Sequence, residues 1–215
     1  MEIVDYVFRV DSSSKIGSGH LMRCLTLARA LRDVGALCSF ICRALDGNLN
    51  HLVVSEGFSL NELAHSSVGA KAVYEDEPYH SYWREVEWKI DAAETLSVLS
   101  ALKPRWLIVD HYGIWHDWQV TVGSGCNIMV IDDLADRHHQ CDLLLDQNLG
   151  SDILGYQSLI PSDCMTLLGP DYALLRPEFK DYREVSLARR VGYEVNNILI
   201  NFGGGDPDNY IARVL

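Results

Sequence analysis

Three segments of the chain are almost wholly apolar and each ends on an acid: Trp106-Leu-Ile-Val-Asp110, Asn127-Ile-Met-Val-Ile-Asp132-Asp133 and Cys141-Asp-Leu-Leu-Leu-Asp146. A strand with one face in water alternates apolar and polar side chains, whereas one that does not alternate is covered on both faces. Helical patterns separate these strands, so the pattern specifies an α/β fold, a Rossmann-like parallel sheet between helix layers. Tyr6 to Val10 reads as a further buried strand, Ala36 to Ile41 as an apolar run of strand length, and Phe58 to Leu63 as a strand by alternation. Asn48 to Glu56 reads as a short helix. Residues 82–102 carry the longest helical pattern, with Trp83 and Trp88 as packing residues and Pro104 closing it. A hydrophobic content of 48% over 215 residues supplies enough side chains for a sizeable core.

In sheets of this kind ligands bind beyond the carboxyl ends of the strands. His20, Asp110, His111, Tyr112, Asp132, Asp133, Gln147 and Asn148 all fall there. The stretch Lys15-Ile-Gly-Ser-Gly-His20-Leu-Met-Arg23-Cys24 joins the first strand to a helix with Leu21, Cys24, Leu25, Ala28 and Leu31 on one face. Ser18 is the expected N-cap and Gly35 the expected stop. Gly17 and Gly19 let the backbone turn tightly and approach a bound group. His20 then lies in the first helical turn, where the dipole and free N–H groups favour anions and disfavour an imidazolium. That setting suits a general base beside a phosphorylated substrate. These ten residues alone admit a second reading, a glycine turn whose histidine only caps or packs. Asp110 and Asp132 likewise read either as site acids or as loop caps. His138-His139 reads as a solvent-exposed pair in a polar loop.

A net charge of −12 argues against a nucleic-acid partner, although a local basic pocket for a nucleotide remains open. No apolar run approaches membrane-spanning length, and the N-terminus shows no secretory pattern, so the expected location is cytoplasmic. Six scattered cysteines read as reduced, mostly buried thiols, and the sequence lacks a compact set of metal ligands, so no metal and no cofactor are expected. Farther on, Asn197 to Phe202 reads as a buried strand entering Gly203-Gly204-Gly205-Asp206, with Pro207 at the first position of a helix. This is a second anion cradle without the Gly-Lys-Ser/Thr of a P-loop. The expected organisation is a first domain over residues 1–179, a charged connector over 180–196, and over 197–215 the first strand and helix start of a second domain, the remainder of which is expected as a partner.

Several motifs together resemble a known family. Arg9-Val-Asp11, Ile16-Gly-Ser-Gly-His20-Leu-Met-Arg23-Cys-Leu, Asp110-His-Tyr-Gly113, Ile131-Asp-Asp-Leu-Ala-Asp-Arg-His-His139, Cys141-Asp-Leu-Leu-Leu-Asp-Gln-Asn148, Leu168-Gly-Pro-Asp-Tyr-Ala-Leu-Leu-Arg-Pro-Glu-Phe179 and Phe202-Gly-Gly-Gly-Asp206 occur in the order found in the UDP-2,4-diacetamido-2,4,6-trideoxy-β-L-altropyranose hydrolases of pseudaminic acid biosynthesis. The resemblance implies a GT-B-like arrangement, two Rossmann-type domains across a cleft, related to glycosyltransferases of the MurG type. It implies metal-independent, inverting attack of water on a UDP-sugar, with His20 as general base. Arg9, Asp11, Gly17, Gly19, Arg23, Asp110, His111, Tyr112 and Asp132 become substrate-side candidates, and Gly203, Gly204, Gly205 and Asp206 nucleotide-side candidates. A glycosyltransferase using a UDP-sugar donor and a non-catalytic sugar-binding module are the alternatives.

Overall fold

The computed structural model describes residues 4–65, 77–190, 195, 197–200 and 209–215. Its described elements run β1 (Tyr6–Val10), α1 (Gly19–Asp33), β2 (Cys38–Arg43), α2 (Asn50–Ser55), β3 (Ser59–Leu63), a 3-10 turn (Tyr79–Arg84), α3 (Trp88–Leu102), β4 (Trp106–Asp110) and α4 (His116–Val122). There follow β5 (Asn127–Ile131), β6 (Leu143–Asp146), α5 (Ile153–Tyr156), β7 (Met165–Leu168), α6 (Pro177–Asp181), α7 (Arg183–Ala188) and α8 (Tyr210–Val214). The strands of the described residues form one parallel sheet in the order β3-β2-β1-β4-β5-β6-β7. The order reverses between β1 and β4, which pair directly with Val10 opposite Asp110. A crevice opens at such a reversal because the connections from the two strands leave toward opposite faces.

Both faces carry a core, which is why the central strands do not alternate. Phe8, Val10, Phe40, Ile108 and Ile131 pack against Leu21, Cys24, Leu25 and Ala28 of α1. Val7, Ile41, Leu107, Val109 and Val130 pack against Ala92 and Leu99 of α3 and Trp118 of α4. On this second face a charged cluster sits inside the core. Asp91 of α3 accepts from Arg9 Nη2 at 2.7 Å, Arg43 Nη2 at 2.7 Å and Trp118 Nε1 at 2.9 Å. All four of these residues are fully buried.

Several expectations change. The pattern over residues 82–102 is not one helix: Glu85 adopts a left-handed φ of 55° and separates the 3-10 turn from α3. A 3.6-residue apolar period does not report a single backbone reversal of this kind. The run expected at 36–41 pairs as 38–43, and β7 and α4 were not anticipated. Residues 197–200, expected as part of a buried strand, adopt no regular structure, and Ile198 and Leu199 are exposed. Among the described residues they pair with none of the seven strands, so no ladder there holds them extended. The glycines and aspartate at 203–206, and Pro207, lie outside the described residues; the following helix is seen from Tyr210. Ser18 precedes α1 as expected but makes no side-chain cap. No described helix is long and apolar enough to cross a membrane.

Removing one partner from a buried charge cluster leaves the others uncompensated, at about 3–5 kcal/mol. Asp91→Ala should therefore lower the unfolding free energy by about that amount, read from urea denaturation. A pH dependence accompanies it. Burial alone would raise the carboxyls of Asp11 and Asp91, but Arg9, with His111 at Asp11 and Arg43 at Asp91, outweighs it and holds both below their ordinary range. The unfolded chain therefore takes up these protons at higher pH than the folded one. The share of stability that these two carboxylates contribute should be full above about pH 4 and fall as the pH drops through the depressed folded values. A urea midpoint unchanged between neutral pH and about pH 3 would contradict this.

Candidate active site

At the reversal of strand order, the loop after β1 and the loop after β4 meet. Ser13 Oγ accepts from the backbone N–H of Lys15 and Ile16 at 3.2 and 3.0 Å, closing the first loop on itself. Gly17 then takes φ +81°, the left-handed conformation that favours glycine, and its N–H donates to Ser13 O at 2.8 Å. This delivers Gly19 as the first residue of α1, with open space where a side chain would stand. In the second loop, a Cβ on Gly113 would lie 2.9 Å from His80 O and 3.1 Å from Arg84 Cγ, so only glycine lets the 3-10 turn pack down here.

His20, 8% exposed, places Nδ1 2.5 Å from Asp110 Oδ1. Asp110 is fully buried and also receives a fork from Arg23, Nε to Oδ2 at 2.6 Å and Nη2 to Oδ1 at 2.7 Å. Burial would raise the Asp110 carboxyl, but His20 and Arg23 outweigh it and hold it well below the usual carboxylate range. Two bare acceptors do not approach to 2.5 Å, so the ionised carboxylate assigns the hydrogen to His20 Nδ1. In the neutral ring Nε2 is then the basic nitrogen, and among the described residues it makes no hydrogen bond. Arg23 Nη1 continues to Asp133 Oδ2 at 3.0 Å, and Tyr112 Oη donates to Asp133 Oδ1. The His20 ring stands edge-on to Tyr112, centroids 4.5 Å apart, and to Trp83 at 5.8 Å. Trp83 stacks on Tyr112 at 5.1 Å and 29°. It walls the site rather than only packing within a helix, a role that depends on the 3-10 turn and has no signal in the periodicity. Beyond Tyr112, Arg137 lies over the ring at 5.6 Å and lines a cleft of about 570 Å³ with Glu77, Trp115, His116, Asp136 and His138.

The candidates thus divide. His20, Arg23, Asp110, Tyr112 and Asp133 form one connected network, and Gly17 and Gly19 belong to the turn that leads into His20. Arg9 and Asp11 do not face a ligand: both are fully buried, Arg9 Nη1 donates to Asp11 Oδ1 at 2.6 Å, and the second Arg9 bond runs to Asp91. His111 is buried with them; its Nδ1 accepts from Gly113 N at 3.0 Å and its Nε2 lies 3.2 Å from Asp11 Oδ2. Burial holds this imidazole below its ordinary value against the pull of Asp11. These three support the loops from beneath. Asp132 is also buried, capping Leu134 N and Ala135 N at 3.2 and 3.0 Å and paired with Arg137 at 2.6 Å, which is the loop-capping reading. Tyr156 Oη stands 3.1 Å from Asp132 Oδ2 and 3.0 Å from Asp146 Oδ2. Gln147 Oε1 accepts from Leu174 N at 2.9 Å and Asn148 is exposed, so neither joins the His20 network. His138 is exposed as expected, but His139 is buried against Gln119, with Nδ1 at 3.1 Å, and burial pushes it down to about 3. Among the described residues no group of His, Cys, Asp and Glu side chains is placed to hold a metal ion.

No family model matches the chain. The chain is 33% identical over 210 residues, 97% of its length, to the UDP-2,4-diacetamido-2,4,6-trideoxy-β-L-altropyranose hydrolase of Campylobacter jejuni, and the resemblance read from the motifs is borne out by this relative. It is 26% identical over 209 residues to an uncharacterised protein of Methanocaldococcus jannaschii. The chain spans 63% and 38% of the lengths of these two relatives. Among solved structures it is similar to the MurG protein of Acinetobacter baumannii, with a TM-score of 0.45 and 10% identity over 76% of this chain and 44% of that one. It is also similar to LpCGTa solved with UDP, with a TM-score of 0.42 and 19% identity over 61% of this chain and 32% of that one.

The hydrogen-bond network makes a direct spectroscopic prediction. Nitrogen-15 NMR of the neutral His20 ring should show the hydrogen on Nδ1, with Nε2 bare; an Nε2–H tautomer would contradict the assignment.

Proposed function

We propose that the protein is a nucleotide-sugar hydrolase that releases UDP from UDP-2,4-diacetamido-2,4,6-trideoxy-β-L-altropyranose by attack of water on the anomeric carbon, in pseudaminic acid biosynthesis. The observation that carries the reading is the His20–Asp110 pair, which commits Nδ1 and leaves Nε2 as the base at the strand-order reversal. In this reading a water molecule held by Nε2 loses its proton to the ring as its oxygen bonds to the anomeric carbon. The bond from that carbon to the diphosphate oxygen breaks, its electron pair leaves with UDP, and the configuration inverts. The imidazolium formed in this step lies against the Asp110 carboxylate, which stabilises it and keeps the ring oriented. The proton then passes to solvent.

Charge on the departing diphosphate needs its own stabilisation. The start of α1 suits it, since Ser18 makes no cap bond and the first turn carries no acid, so its first N–H groups have no side-chain cap. UDP is a good leaving group, so a base and an anion-stabilising helix end are sufficient for a metal-independent reaction. Gly203, Gly204, Gly205 and Asp206 are assigned the nucleotide side, in the GT-B-like arrangement that the family resemblance implies. Tyr112, Trp83 and the cleft beyond them are assigned to the sugar.

Given the UDP-sugar with no acceptor, the wild-type protein should release UDP and free sugar. His20→Ala should slow that release by about 10²–10⁴-fold with an unchanged circular dichroism spectrum. UDP release that appears only when an acceptor alcohol is added would favour a glycosyltransferase instead, and undiminished release by the variant would remove His20 from the chemistry.

A further inference from the structure

All six cysteines are free, and two of them are neighbours in space. Cys141 stands just before β6 and Cys164 just before β7, adjacent parallel strands in which Leu143 pairs with Met165. The ladder bond from Met165 N to Asp142 O, 2.9 Å, fixes the register beside them. Their sulfurs lie 3.6 Å apart, Cys141 almost fully buried and Cys164 half-buried. A disulfide needs sulfurs about 2.0 Å apart, so roughly 1.5 Å of side-chain movement closes the gap.

We propose that Cys141 and Cys164 form a reversible oxidation site, in which a hydroperoxide converts the two thiols into a disulfide that ties β7 to β6. The inference does not rest on the hydrolase reading, because the pair lies at the amino ends of these strands and His20 at the carboxyl end of the sheet. Cys164 is the more exposed of the two, and its hydrogen bond with Cys141 holds it below the ordinary thiol range. Its thiolate attacks one peroxide oxygen, the O–O bond breaks, and a sulfenic acid and hydroxide result. The Cys141 sulfur then attacks the sulfenic sulfur; the S–S bond forms, the S–O bond breaks, and the oxygen leaves as water with the Cys141 proton. In total two thiols lose two electrons and two protons, and one hydrogen peroxide becomes two water molecules. Of the remaining thiols, Cys24 and Cys42 are fully buried, and burial pushes Cys24, Cys38, Cys42 and Cys126 all up.

The test treats the full chain with one equivalent of hydrogen peroxide, followed by intact-mass measurement and peptide mapping with an aspartate-specific protease. The expected result is a loss of about 2 Da, a cross-link between the peptides bearing Cys141 and Cys164, the disappearance of two of the six titratable thiols, and full reversal by dithiothreitol. Cys164→Ser should abolish the mass loss and Cys126→Ser should leave it unchanged. A cross-link to any other cysteine, oxygen addition without the mass loss, or persistence of the mass loss in Cys164→Ser would overturn the proposal. The wild-type map decides the matter even where a variant fails to fold.

Discussion

The carboxylate of Asp110 is fully buried, and much of the site is arranged to keep it charged. An isolated buried carboxylate protonates; this one is held by a guanidinium fork and an imidazole. Those same bonds fix the side chains that make them. His20 is held with one nitrogen turned inward, Arg23 is drawn across to Asp133, and Asp133 in turn holds the Tyr112 hydroxyl. The orientation of the His20 ring is thus a consequence of satisfying an acid at the end of a strand.

The loop carrying Asp110 is clamped from both faces of the sheet. Successive residues at the end of β4 point to opposite faces. Asp110 meets α1, while His111 meets Asp11 and the Arg9–Asp91 cluster over α3. Side-chain bonds on both faces anchor the backbone between them. Trp83, brought in by a turn that Glu85 ends in a left-handed conformation, closes a third side. Lys15 ties that turn back to the glycine loop through Glu85 at 2.7 Å.

The fold was legible in the sequence where burial on two faces removed alternation, as at Trp106–Asp110 and Asn127–Ile131. It was least legible where a segment is short and half-buried: Met165–Leu168 carries no pattern that separates an edge strand from a loop. The site was legible as a set of strand-end and loop residues, because topology alone brings such residues together. Their roles were not. Arg9 and Asp11 sit in a motif beside His20, but strand periodicity gives the face of a residue and says nothing of its partner, here Asp91 from a helix 82 positions away from Arg9. The same limit hid the burial of His139, which depends on Gln119 from α4.

The measurement that bears most directly on this account is the rate of UDP release by Asp110→Asn beside the wild-type protein at saturating UDP-sugar. An asparagine cannot accept from both His20 Nδ1 and the Arg23 fork, because its NH₂ group must oppose one of these donors. The account predicts a fall of about 10²–10⁴-fold in kcat with the circular dichroism spectrum preserved. A variant rate within about twofold of wild type would show that the buried acid does not orient the base, and would contradict the account.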